Sequence, residues 1–184
     1  NRTILNTSSL IVALDRFMAE RLSQRGDYAG KMAIIAPWPH ESFVEPVAHD
    51  QNPFRHKHGL DGKFVVMYSG NHSPSNPLDT LLAAARELRD QDDLRFLFVG
   101  GGIGKKAVEQ IVADHQLRNG LCLPYRPLAA LRYSLSAADV HVVSLGGDMG
   151  GTSHPCQGYG AIAAGPPNPF LRPPPRPRSG RPPP

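Results

Sequence analysis

Cysteine is scarce: Cys122 and Cys156 are the only two in 184 residues. Two are too few for a disulfide framework, so a reducing, cytoplasmic setting is expected. No Cys-x-x-Cys pair occurs, and His49, His56 and His58 share no ligand spacing with either cysteine, which argues against a metal site. No apolar run approaches the ~20 residues that a membrane-spanning helix needs, and no signal peptide is visible. A Gly-x-Ser-x-Gly elbow and a Ser–His–Asp grouping are absent, which removes hydrolase triads. Basic charge is also lacking where it would count. The formal charge of +4 equals the four arginines Arg172, Arg176, Arg178 and Arg181 of an acid-free last stretch, leaving about zero for residues 1–164. A nucleic-acid binder carries its charge on a folded face, so no nucleic-acid partner is expected.

Two short apolar runs are present, and each stops abruptly at glycine: Phe64-Val-Val-Met-Tyr-Ser-Gly-Asn-His72 and Arg95-Phe-Leu-Phe-Val-Gly-Gly-Gly-Ile-Gly104. Between them Leu78, Leu81, Leu82, Ala85 and Leu88 fall on one helical face. This reads as strand, loop, helix, strand, loop, with both glycine loops at the carboxyl ends of strands. In an open parallel sheet that edge binds ligands, because helix N-termini and bare amides converge there on anionic groups. Gly100–Gly104 lacks both the Gly-Lys-Ser/Thr ending and the Gly-x-Gly-x-x-Gly register, so tight packing and ligand contact remain alternatives for it. Ser69-Gly70-Asn71-His72 is the stronger candidate. Gly70 permits close backbone approach, and Asn71 and His72 offer side-chain donors.

The remaining pattern alternates in the same way. A strand at 121–123, a helix over 128–137 and a strand at 140–144 follow, which predicts an α/β fold with a parallel sheet flanked by helices. Upstream, Asp15 is placed to cap a helix carrying Phe17, Met18 and Leu22. Residues 40–63 show no sustained period and read as a linker or extended loop. Ten of the last twenty residues are proline, which predicts an extended or disordered tail over 166–184. The expected division is 1–39, a remnant of a preceding domain; 40–63, a linker; 64–165, a ligand-binding domain; and 166–184, the tail.

The segments Val12–Leu22, Tyr68–His72, Phe96–Gly102, Leu123-Pro-Tyr125, Ser134–His141 and His154–Gly160 through Ala163-Ala-Gly165 resemble, in order and spacing, the C-terminal half of group 1 glycosyltransferases. Those enzymes have the GT-B fold, and the nearest branch is the bacterial polysaccharide and amino-deoxy-sugar transferases. The resemblance implies a Rossmann-like domain that binds a nucleotide-diphosphate sugar, UDP-sugars being favoured, and transfers the sugar with retention to a glycan or lipid-linked acceptor. It implies no cofactor and no metal. It also implies an N-terminal acceptor domain as partner, and peripheral association of the full-length enzyme with the inner face of the membrane. By position, Ser69, Gly70, Asn71 and His72, with Gly101 and Gly102, would approach the diphosphate. Tyr125 and Arg126 would border the base. Ser153, His154, Pro155, Cys156, Gln157 and Tyr159 would meet ribose, phosphate and sugar.

The chain departs from the family pattern at the charges. Asn71 and Asn76 stand where many group 1 enzymes have Arg and Lys, Thr152 and Gly160 replace two glutamates, and Gln157 replaces a usual lysine. Lys105, Lys106 and Arg126 are the remaining candidate cations, so weak diphosphate binding is expected, and the chain alone is expected to be inactive. After Ala-Ala-Gly the Pro/Arg run replaces an expected Arg-Pro-Val strand, as a shifted reading frame in GC-rich DNA would produce. The competing reading is a non-catalytic α/β binding module whose Pro-rich tail docks in polyproline II form. A dinucleotide oxidoreductase lacks its acid and its glycine register.

Overall fold

The computed structural model describes residues 2–36, 45–146, 160–161, 165 and 169–171. Four parallel strands form the central sheet: β3 (Phe64–Ser69), β4 (Leu94–Val99), β5 (Gly120–Leu123) and β6 (Val140–His141), in the order β5-β4-β3-β6. A separate parallel pair joins β1 (Ile11–Ala13) to β2 (Met32–Ile34). The helices are α1 (Arg2–Thr7), α2 (Arg16–Ser23), α3 (Pro53–Lys57), α4 (Asp79–Glu87), α5 (Lys105–Asp114) and α6 (Leu128–Leu135). The α/β class and the parallel sheet predicted from the sequence are thus observed. Asp15 caps α2 as its position suggests, accepting from the Met18 amide at 2.7 Å.

Strand alternation builds two cores. Tyr68, Phe96 and Phe98 pack on Leu78, Leu81, Leu82, Ala85 and Val108 of the α4–α5 side. Val65, Met67, Leu97 and Val99 pack with Phe54, Leu60, Leu123, Ala137 and Ala138 on the other side. Because both faces are covered, β3 and β4 read as continuous apolar runs rather than as alternating ones.

Three elements depart from the sequence reading. Residues 53–57, placed in an extended linker, form α3, and Asn52, Phe54, Arg55 and Leu60 around them are buried. The helix is too short to show a period. Its start is nevertheless written locally, in an N-cap Asn52 accepting from the Phe54 amide at 2.9 Å and Pro53 in the first turn. The run 140–144 divides: β6 stays in the central sheet, while β7 (Val143–Ser144) pairs in parallel with β8 (Phe170–Leu171). Two residues of the expected tail are therefore a strand. No helix among the described residues is long and apolar enough to cross a membrane.

Arg55 ties α3 to the sheet. It is 3% exposed, and its guanidinium donates to the carbonyls of Ala137 (2.6 Å), Leu60 (2.7 Å) and Lys63 (2.5 Å), with Asp139 Oδ2 at 3.5 Å. Asp139 in turn accepts from the Val65 amide at 2.7 Å. A buried guanidinium is tolerable only when its donors are met, and removing it strands several acceptors at once. Arg55→Ala should lower unfolding free energy by about 3–5 kcal/mol in urea titrations. The exposed Lys57→Ala should stay within about 0.5 kcal/mol of the parent.

Candidate functional site

The strands β3, β4 and β5 end level with one another, since Ser69 is paired with Val99 and Val99 with Leu123. Their exit loops therefore emerge side by side. The pairing continues one step past the strands: the Gly70 amide donates to Val99 O at 3.0 Å, and the Gly100 amide to Leu123 O at 2.9 Å. The two loops then bind each other. The His72 amide donates to Gly101 O at 2.7 Å, and the Gly104 amide donates to His72 O at 3.0 Å.

This contact explains the glycines. Gly100 (φ +127°) and Gly102 (φ +119°) hold backbone angles that L-residues rarely adopt. A Cβ on Gly100 would overlap the Gly70 carbonyl oxygen, and one on Gly102 would overlap Asn71 Oδ1 and the His72 carbonyl. Of the two alternatives left open by the sequence, close packing is therefore satisfied at positions 100 and 102. Gly101 differs: a Cβ there would meet only the Tyr125 ring, at 3.0 Å. Tyr125 is 58% exposed and leans over Gly101, its hydroxyl donating to Gly101 O at 3.4 Å.

Among the described residues, the amides of Asn71, Gly101 and Gly102 make no hydrogen bond. Asn71 and Gly102 are exposed and Gly101 is half-buried. Ser69, Gly70, Asn71, Gly101, Gly102 and Tyr125 thus share one edge, and three free N–H groups sit between two interlocked loops. Unpaired backbone amides at the ends of parallel strands favour negative charge nearby. Below it, a cavity of about 410 Å³ opens between α4 and α5, lined by His72, Pro74, Leu78, Ile103 and Val108 among others.

The remaining candidates behave differently. His72 is 1% exposed, so its imidazole is not presented to solvent. Arg126 places its guanidinium 5.5 Å above the Phe54 ring, and its Nε is buried without a partner among the described residues. Asn76 donates to Ser144 O at 2.7 Å and accepts from Ser73 Oγ at 2.9 Å, which ties the loop to β7. Ser153, His154, Pro155, Cys156, Gln157 and Tyr159 lie outside the described residues.

Lys105, a candidate cation, is committed elsewhere. Its ammonium donates to Phe98 O at 2.6 Å and Leu123 O at 3.0 Å, clamping the ends of β4 and β5 together. Burial lowers its pKa, and the same burial raises that of Cys122 nearby. Sequence reasoning missed this clamp because a lysine beside a glycine loop looks identical whether it faces ligand or backbone.

No family model matches the chain. It is 29% identical over 144 residues to WcaI of Escherichia coli K12, named as a colanic acid biosynthesis glycosyl transferase, covering 77% of this chain and 35% of WcaI. It is 25% identical over 161 residues to WbjE of Pseudomonas aeruginosa, named as a glycosyltransferase, covering 88% of this chain and 40% of WbjE. The crystal structure of Anabaena HepE in complex with UDP-glucose matches with a TM-score of 0.72 at 18% identity, over 92% of this chain and 49% of HepE. The chain spans less than half the length of each. These similarities bear out the resemblance to GT-B glycosyltransferases and the Rossmann-like fold it implies.

The glycines should separate by geometry. Gly100→Ala and Gly102→Ala should each cost on the order of 2–4 kcal/mol in chemical denaturation, combining strained φ with backbone overlap. Gly101→Ala should cost under about 1 kcal/mol, because an exposed tyrosine ring can move aside.

Proposed function

We propose that this chain is the donor-binding part of a glycosyltransferase. It holds a nucleotide-diphosphate sugar, UDP-sugars being favoured, at the carboxyl edge of β3, β4 and β5. The observation that carries this reading is the set of free amides at Asn71, Gly101 and Gly102 between two loops that brace each other. The diphosphate oxygens accept from those amides, and the base lies beside Tyr125. The family resemblance assigns residues 153–159 to ribose and sugar. The names of WcaI and WbjE support sugar transfer, and the UDP-glucose held by HepE supports the class of donor. Residues 1–39 belong to the neighbouring acceptor domain, with 40–63 joining the two parts. The full-length protein works on a glycan or lipid-linked acceptor at the inner face of the membrane.

In transfer from such a donor the bond between the anomeric carbon and the diphosphate breaks, and negative charge grows on the departing phosphate. Fixed N–H donors stabilise that charge more in the transition state than in the ground state, which is how they accelerate departure. Lys105 is occupied by carbonyls and Arg126 stands over Phe54, which leaves the exposed Lys106 as the candidate cation to assist the amides.

Calorimetric titration tests the reading. UDP and UDP-N-acetylglucosamine should bind weakly, with Kd on the order of 0.1–1 mM, or about 4–5.5 kcal/mol. GDP should bind more weakly still. A folded sample giving no heat with any of the three would refute the donor site and leave the non-catalytic module.

A further inference from the structure

His72 is a loop residue with the burial of a core residue. Its main chain is held at both ends by the glycine run, through Gly101 O and the Gly104 amide. The imidazole stands edge-on to Tyr68, ring centres 5.2 Å apart and planes at 85°. Nδ1 lies 3.2 Å from Gly70 O, so the tautomer with hydrogen on Nδ1 donates to that carbonyl. Nε2 is buried and has no partner among the described residues. An imidazolium would place a second N–H there that meets no partner among the described residues.

The groups facing the ring act on its protonation in both directions. Tyr68 of β3 presents its ring, and its hydroxyl is already donating to Asn71 O at 2.7 Å. From α5 come the Lys105 ammonium, which opposes a positive charge, and Glu109, which favours one weakly. Asp79 of α4 shares the cavity that His72 lines. From the loop after β5, Tyr125 bonds through its hydroxyl to Gly101 O, the carbonyl that receives the His72 amide, and stands near Tyr68.

We propose that His72 is a positioning residue: its buried neutral imidazole, bonded to Gly70 O and seated against Tyr68, fixes the shape of the loop after β3 whose main chain locks onto the glycine run, and charging the buried ring loosens that loop and weakens donor binding. The proposal rests on the reading of this edge as the donor site. It replaces the expectation that His72 meets the donor with its side chain, because a residue this buried cannot reach a ligand without the loop opening. Burial first, and then the Lys105 ammonium, hold the imidazole below the ordinary histidine pKa, while the Gly70 and Gly101 carbonyls and Glu109 push the other way. The sign follows. With the closed-loop pKa depressed, the closed form is favoured above the ordinary histidine value of about 6.5 and loses ground as pH falls through and below it.

Nuclear magnetic resonance of the full chain without nucleotide tests this, between pH 8 and pH 5. The His72 ring should titrate below about 6.5, and the Gly70, Gly101 and Gly104 amide signals should move with the same midpoint. In His72→Asn the side-chain amide can still donate to Gly70 O but cannot titrate, so the coupled amide response should vanish. Affinity for UDP-N-acetylglucosamine, whose esterified diphosphate does not titrate in this range, should fall by about fivefold or more from pH 8 to pH 5 in the parent and be flat in the variant. Glycine amides that do not follow His72, or a coupled response that persists in His72→Asn, would overturn the proposal. If His72→Asn fails to fold, co-titration in the parent decides. The loop response is read without nucleotide, so a responding loop that never binds UDP would count against the donor reading and not against this one.

Discussion

Two stretches of backbone pass one another at the functional edge in direct hydrogen-bonded contact. Everything proposed for this protein depends on that close approach. Gly100 and Gly102 leave the space that Gly70, Asn71 and His72 fill, and the hydrogen bonds between His72 and Gly101 and between Gly104 and His72 lock the two loops. The level ends of β3, β4 and β5 bring the loops to the same height, so a helical spacer of ordinary length suffices to join them. The result is a rigid rim whose free amides need not be reorganised when a charged group arrives, the condition under which backbone dipoles are most effective.

Several charged side chains, the candidate cation Lys105 among them, are used inside the fold. Lys105 closes the ends of β4 and β5, Arg55 joins α3 to the carbonyls around it, and Asp139 holds the start of β3. Each gives up solvation to meet groups that would otherwise be stranded, so none is free to swing outward at little cost. The molecule has a well-braced rim with few mobile cations. That combination predicts selectivity by shape and amide placement, with low affinity for the nucleotide alone.

The sheet was legible from Phe64 to Val99 because strands covered on both faces write themselves as unbroken apolar runs that end in glycine. The neighbourhood of the site was legible for the same reason: Tyr68-Ser-Gly-Asn-His72 and Val99-Gly-Gly-Gly102 end two adjacent strands. What each glycine does was not legible, since a glycine needed for packing and one needed for ligand approach are the same letter. The short helix α3 was hidden by its length, although Asn52-Pro53 announces its start. The framework contacts of His72 and Lys105 were illegible for a common reason. Their types suggest contact with a ligand, whereas their three-dimensional neighbours, Tyr68 for one and the carbonyls of Phe98 and Leu123 for the other, assign them to the framework.

The central claim, that the braced rim receives a nucleotide diphosphate, is tested most directly by mapping amide shifts as UDP is added to the full chain. The account predicts the largest changes at Asn71, Gly101 and Gly102, with smaller ones near Tyr125. It is contradicted if UDP perturbs instead the opposite end of the sheet, around Arg95, Arg118 and Asn119, where a cavity of about 480 Å³ lies, or perturbs no residue at all.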